Sequence, residues 1–132
     1  MRKGQISIDL IFALIVALIA SGSFILISDS FKESNSKMML ENQLSAEATN
    51  IATFITSSNV MSGTTFIAEK SIGTVFYKGQ VFHPDVNILA DLNKVVVSTK
   101  TEDLTITKEA YFGNPQNARI VIDNRVLVIR ND

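Results

Sequence analysis

Hydrophobic positions follow three successive patterns along this chain. From Leu10 to Ile27 there are 18 consecutive residues without a charge, and only Ser21, Gly22 and Ser23 interrupt the apolar run. As a helix this run is about 27 Å long, close to the roughly 30 Å of a bilayer's hydrocarbon core. From residue 28 to 58 there is no proline and no glycine, and Leu40, Leu44, Ala48, Ile51 and Ile55 recur at steps of four and three. That spacing draws one apolar stripe on a helix, with Glu41, Asn42, Glu47 and Asn50 mostly off it. Such a stripe is best read as the face that packs against a head domain. The breaker-rich stretch SSNVMSGTT then ends the helical signal.

From Thr64 onward the pattern is that of strands. TTFIA, GTVFYKGQVF, KVVVST, LTITKEAYF and ARIVIDNRVLVIR are rich in β-branched and aromatic residues and are bounded by turn-formers. Asp123-Asn124 predicts a tight hairpin of residues 120–122 with 126–129. Lys100–Asp103 predicts another hairpin turn, and Asn114-Pro115 a loop. The fold class is therefore α+β. One helix of ~78 Å runs from about Ile6 to about Ser57. Its first half is membrane-like. Its second half packs against a small antiparallel head of four to six strands. The domain plan is a helix over 5–59, with 10–27 transmembrane-like, and a β-rich head over 60–132.

Composition narrows the choices little. The 132 residues allow one small domain plus an appendage, and the net charge of −1 advertises no polyanion-binding surface. Scattered Lys and Arg leave nucleic-acid binding unsupported. Cysteine is absent, which removes disulfides, thiolate chemistry and a lipidated cysteine anchor. The single histidine, in His83-Pro84-Asp85, reads as a surface turn, and Glu102-Asp103 is a turn pair without further ligands at metal spacing. No nucleophile elbow, phosphate loop or dinucleotide fingerprint occurs. No N-x-S/T sequon occurs either. The chain is not read as an enzyme, and no cofactor or metal is expected.

Asp9 is the residue that needs explaining, because a carboxylate at the head of an apolar span is costly. Three readings address it. A secretory signal peptide would use Arg2 and Lys3 as its positive region and Ala20-Ser21-Gly22 as its cleavage site, but its apolar core is usually only about 7–15 residues long. A permanent single-pass anchor fits the length and the flanking charges but leaves Asp9 idle. In the third reading a peptidase cuts after Gly4, and Gln5 becomes the first residue. The new α-amino group is largely protonated at neutral pH. In a stack of axially offset helices, that amine meets the Asp9 carboxylate of a neighbour, and each neutralises the other.

At this point the stretch KGQISIDLIFALIVALI resembles the class III signal peptide of archaeal type IV pilins, especially those of methanogens. That family's pattern is a basic residue and glycine, then Q-x-S-x-E, then a long apolar helix. Lys3, Gly4, Gln5, Ser7 and Asp9 stand at the matching places, with Asp9 where the family carries glutamate and Ala13 where it often carries leucine. The resemblance covers about the first 27 residues. It implies that residues 1–4 are a leader peptide, removed by a prepilin peptidase that cuts between Gly4 and Gln5. It also implies assembly of the chain with itself into a helical homopolymer, driven by an ATPase and a membrane platform protein. Gln5 and Asp9 would serve assembly. Leu10, Phe12, Leu14, Val16, Leu18, Phe24 and Ile27 would form the membrane and filament-core helix. Loss of Arg2 and Lys3 would reduce the 12 basic side chains to 10 against 13 acidic ones, a mildly acidic exterior. The expected product is a membrane-inserted precursor and then a cell-surface filament subunit, major or minor. The rival from another class is a membrane-anchored extracellular binding module with an uncleaved helix.

Overall fold

The computed structural model describes residues 2–58, 65–113 and 118–131, with side chains from Ser7 to Arg130 within those ranges. One helix, α1, spans Arg2–Ser58. It begins ahead of the expected Ile6. Arg, Lys and Gln are good helix formers, and a lone Gly4 costs only about 1 kcal/mol in a helix nucleated elsewhere. The end agrees with the breaker signal, although residues 59–64 lie outside the described set, as does the Asn114-Pro115 loop.

Eight described strands follow, where four to six were expected. They are β1 Phe66–Ser71, β2 Val75–Tyr77, β3 Gln80–Phe82, β4 Asp85–Leu89, β5 Lys94–Lys100, β6 Thr105–Tyr111, β7 Ala118–Asp123 and β8 Val126–Asn131. They form three antiparallel sheets rather than one, ordered β1-β8-β7, β2-β3 and β4-β5-β6. Part of the excess comes from GTVFYKGQVF, which is not one strand. Lys78 and Gly79 both take positive φ, 47° and 76°, and fold it into a two-residue hairpin with Phe76 opposite Val81. The other addition is β4, which begins at Asp85 directly after Pro84. Its alternation is brief, and it ends in a 3-10 turn at Ala90–Leu92.

The last hairpin is also displaced by one residue. Asp123 pairs with Val126, and the turn residues are Asn124 and Arg125, at φ 45° and 66°. A type I′ turn needs two left-handed residues, and Arg125 adopts that state against its own preference. Its tertiary bonds hold it there. Arg125 Nη2 donates to the carbonyls of Ile72 and Gly73, and Ile72 N–H donates back to the Arg125 carbonyl at 2.9 Å. The other predicted turn, Lys100–Asp103, is likewise shifted by one residue: Lys100 ends β5 and pairs with Thr105, and Thr101 N–H donates to the Leu104 carbonyl.

The chain divides into two compact units, residues 1–36 and residues 37–132. In the second unit the predicted stripe is the floor of the core. Leu40, Leu44, Ala48, Ile51 and Ile55 are completely buried. They meet Val95 and Val97 of β5 and Leu127 and Ile129 of β8, which are also completely buried. Those two strands are the central ones of the three-stranded sheets, so their inward residues are covered from both sides as well as from below.

Polar groups on the same helix tie down the segment between β1 and β2. Gln43 acts as a short backbone mimic: its amide accepts from Phe76 N–H at 2.8 Å and donates to the Phe76 carbonyl at 3.0 Å. One turn on, Glu47 accepts from Gly73 N–H at 2.9 Å. A Cβ at Gly73 would lie 3.0 Å from the Glu47 carboxylate, so this close approach favours glycine. Two outcomes are expected of urea unfolding of the full chain in mild detergent. Leu44→Ala should lose about 2–5 kcal/mol through a core cavity. Gln43→Ala, which frees backbone groups that water can reach, should lose about 0.5–1.5 kcal/mol.

Candidate functional site

The first unit is a stretch of helix whose apolar side chains have nothing to pack on. Every large hydrophobic side chain from Ile8 to Ile27 is 48–74% exposed, and Phe31 is 73% exposed. Consecutive members such as Leu10, Ile11 and Phe12 point in different directions around the axis. The segment is therefore apolar all round, without the polar face that a helix on a protein surface keeps. Leu10, Phe12, Leu14, Val16, Leu18, Phe24 and Ile27 all belong to this uncovered set. Burying each such side chain is worth about 1.5–3 kcal/mol, so leaving them in water forgoes on the order of 20 kcal/mol. That exceeds the whole stability of an ordinary domain, about 5–15 kcal/mol.

The polar atoms inside the run are already satisfied. Ser21 Oγ donates to the Ala17 carbonyl at 2.8 Å, and Ser23 Oγ donates to the Ile19 carbonyl at 2.9 Å. Between them, a Cβ on Gly22 would meet no atom within 4 Å. The surface offered at this level is small and carries no hydroxyl that still requires water. The helix is long and apolar enough to cross a membrane.

At the head of the span, Asp9 is exposed and has no ion-pair partner among the described residues. Gly4 and Gln5 fall within the first turns of α1. Their side chains, like those of all residues up to Ile6, lie outside the described set, as does any pairing of Gln5 with Asp9.

The head supplies polar clusters of a different kind. Glu102 and Asp103 occupy the β5–β6 turn, and Asp103 takes the ammonium of Lys78 at 2.9 Å. Lys78 Nζ also lies 5.2 Å from the Tyr77 ring centroid but makes no hydrogen bond to the buried Tyr77 hydroxyl. The Asp103 carboxylate is therefore the main cause that holds the Lys78 ammonium above its ordinary range. His83 is exposed in the β3–β4 connection. No group of three or more metal-ligating side chains occurs among the described residues. A wide cavity of about 530 Å³ lies between α1 and β6, lined by Thr49, Thr53, Thr56, Glu109 and Tyr111 among others. Its Thr56 hydroxyl is engaged, accepting from Gly113 N–H at 3.1 Å and donating to the Ala52 carbonyl at 2.8 Å.

Sequence reasoning found the apolar span. It did not find Gln43, Glu47 and Arg125, whose work is to fix the edge of β2 and the β7–β8 turn. For Gln43 and Glu47 the one available signal was their place: a polar residue adjoining the buried stripe has a chance to reach backbone that the stripe covers. Arg125, in a strand turn, carried no such signal.

No family profile, curated protein sequence or solved structure matches this chain. The site must be judged on its own chemistry. A charge placed mid-span is the direct check on that chemistry. Val16→Asp should disfavour insertion by about 2.5–3.5 kcal/mol and move most of the chain from the carbonate-resistant membrane pellet to the supernatant.

Proposed function

We propose that this chain is a structural subunit of a surface filament of the archaeal type IV pilus kind. It is first held in a membrane, then trimmed after Gly4, then polymerised through α1. The observation that carries the reading is the wholly apolar, wholly uncovered helix joined without a break to a stripe that anchors a folded head. A tether needs only enough apolar length to cross a bilayer. It does not need a carboxylate at the head of the span or a cleavable basic leader before it.

Assembly follows from the physics of the two solvents. In lipid the helix satisfies its own backbone, and its side chains are as well solvated as in hydrocarbon. On leaving lipid it must be covered at once, and identical helices are the available cover. Association along one helix is heterologous: the surface a subunit offers is not the surface it receives. Such contacts repeat into a fibre when they do not close into a ring. Asp9 contributes register more than stability. A neighbour's α-amino group at Gln5 neutralises it only at one axial offset, so other offsets leave a charge unpaired in an apolar core. The prepilin peptidase, the assembly ATPase and the membrane platform protein are the partners this route requires, and the filament acts outside the cell. No catalytic role is assigned to any residue.

The mass of the N-terminal peptide tests the reading. In membranes or filaments from cells that carry the prepilin peptidase, the peptide should begin at Gln5. A peptide that retains Arg2 would favour the membrane-anchored binding module, and one that begins near Ser23 would mean an ordinary signal peptide. Asp9→Ala should be processed normally yet lower filament yield roughly tenfold, equivalent to about 1.4 kcal/mol, whereas Asp9→Glu should assemble. Normal filament yield from Asp9→Ala would remove the register role.

A further inference from the structure

The outer face of the β1-β8-β7 sheet carries an arrangement that the head does not use. Arg119 of β7 and Arg130 of β8 stand directly opposite each other. Both are exposed, and among the described residues neither has an ion-pair or hydrogen-bond partner. Like charges in directly opposed positions are unfavourable for the sheet, since their Cβ atoms lie only about 4.5–5.5 Å apart. One step along the same face, Val121 stands opposite Val128. The two rows line a shallow groove of about 240 Å³ together with Asp123. Asp123 and Glu69 share the face but bridge to neither arginine.

The matching pattern is on this chain's own helix. Asp29 and Glu33 are one turn apart on one face, both exposed, and neither is in an ion pair among the described residues. Their Cβ atoms are about 5–6 Å apart along the helix axis. One turn before Asp29 stand Ile25 and Leu26, which are 60% and 73% exposed. The helical step from Ile25 to Asp29 is about 6 Å, and the step between sheet rows is about 6.6 Å. On the helix Ile25, Asp29 and Glu33 follow one another along one line, with Lys32 to the side of it. A helix laid along the strands therefore sets Ile25 over the valine row and carries the two acids over and just past the arginine row, within reach of the long arginine side chains.

We propose that the groove on the β1-β8-β7 face receives residues 25–33 of a second copy of the chain. Arg119 and Arg130 grip Asp29 and Glu33, and Val121 and Val128 cover Ile25 and Leu26. The guanidinium groups make charge-assisted bonds to the carboxylates that a lone helix leaves in water. The contact fixes the azimuth of one subunit's head on its neighbour's stem, whereas apolar burial alone has no preferred rotation. This inference rests on the proposal that the chain polymerises, and it names one lateral contact within that polymer.

Charge exchange and cross-linking test it in cells that make the filament. Arg119→Glu with Arg130→Glu should lower filament yield by roughly tenfold or more, because like charges then face each other. Adding Asp29→Arg and Glu33→Arg should restore the yield to within about twofold, because the exchanged charges attract again. The chain has no cysteine of its own. Leu26→Cys with Val128→Cys, in an otherwise native chain, should therefore give a ladder of disulfide-linked multimers under mild oxidation. Filaments that form normally with the reversed arginines, or that fail to cross-link, overturn the contact while self-assembly stands. So does reversal that weakens only the binding of an acidic polymer and leaves yield unchanged. If the reversed chain does not fold, the cross-link decides alone. A native chain that makes no polymer overturns the contact together with the polymer.

Discussion

An α-helix that is apolar on every side has no stable place in water, and the rest of this protein is arranged around that constraint. From Ile8 to Ile27 no large side chain is covered, and the serines within the run are satisfied by their own helix. The segment can be solvated by lipid or by other helices, and in both media its backbone needs no outside partner. Ionic groups are pushed to its ends. Asp9 stands at one end and Asp29 near the other, with no acid or base between them. Ions placed at the boundaries of an apolar span mark depth and offset, which uniform greasy contact cannot do.

The same helix solves a second problem beyond Lys37. A head of short strands, arranged as three small sheets, has limited means to build a core of its own. The stripe from Leu40 to Ile55 supplies the missing floor, against which β5 and β8 set their inward valines, leucine and isoleucine. Gln43 and Glu47 then join the helix to the β1–β2 connection by hydrogen bonds to backbone. These bonds are partly exposed, so they contribute less energy than the stripe. They are directional, however, and they specify where β2 begins. Force applied to such a head would pass into the helix through both its packed floor and these bonds.

Much of the architecture was legible in the chain because it depends on local periodicity. Steps of three and four foretold the buried stripe, residue by residue, and turn-formers foretold the β5–β6 and β7–β8 hairpins. Strand number was less legible, because β2 and β3 are three residues each and alternation over three residues carries almost no signal. The Asn124-Arg125 turn was misplaced by one residue for a tertiary reason. Arg125 tolerates a left-handed backbone because its guanidinium reaches Ile72 and Gly73, more than fifty residues earlier. Of the candidate site, the span and Asp9 could be read directly, since hydropathy and charge are properties of composition.

What the sequence by itself determined is the existence of one uncovered apolar helix, a helical floor and an antiparallel head, because period and hydropathy act over a few turns. Which strands became neighbours beyond the local hairpins was decided only in the tertiary structure. β1 pairs with β8 across most of the head, and β8 becomes the centre of its sheet as a consequence. The physical reason is that strand pairing joins backbone groups present in every residue. The choice among partners falls to long-range packing on the helix, and no local pattern records it.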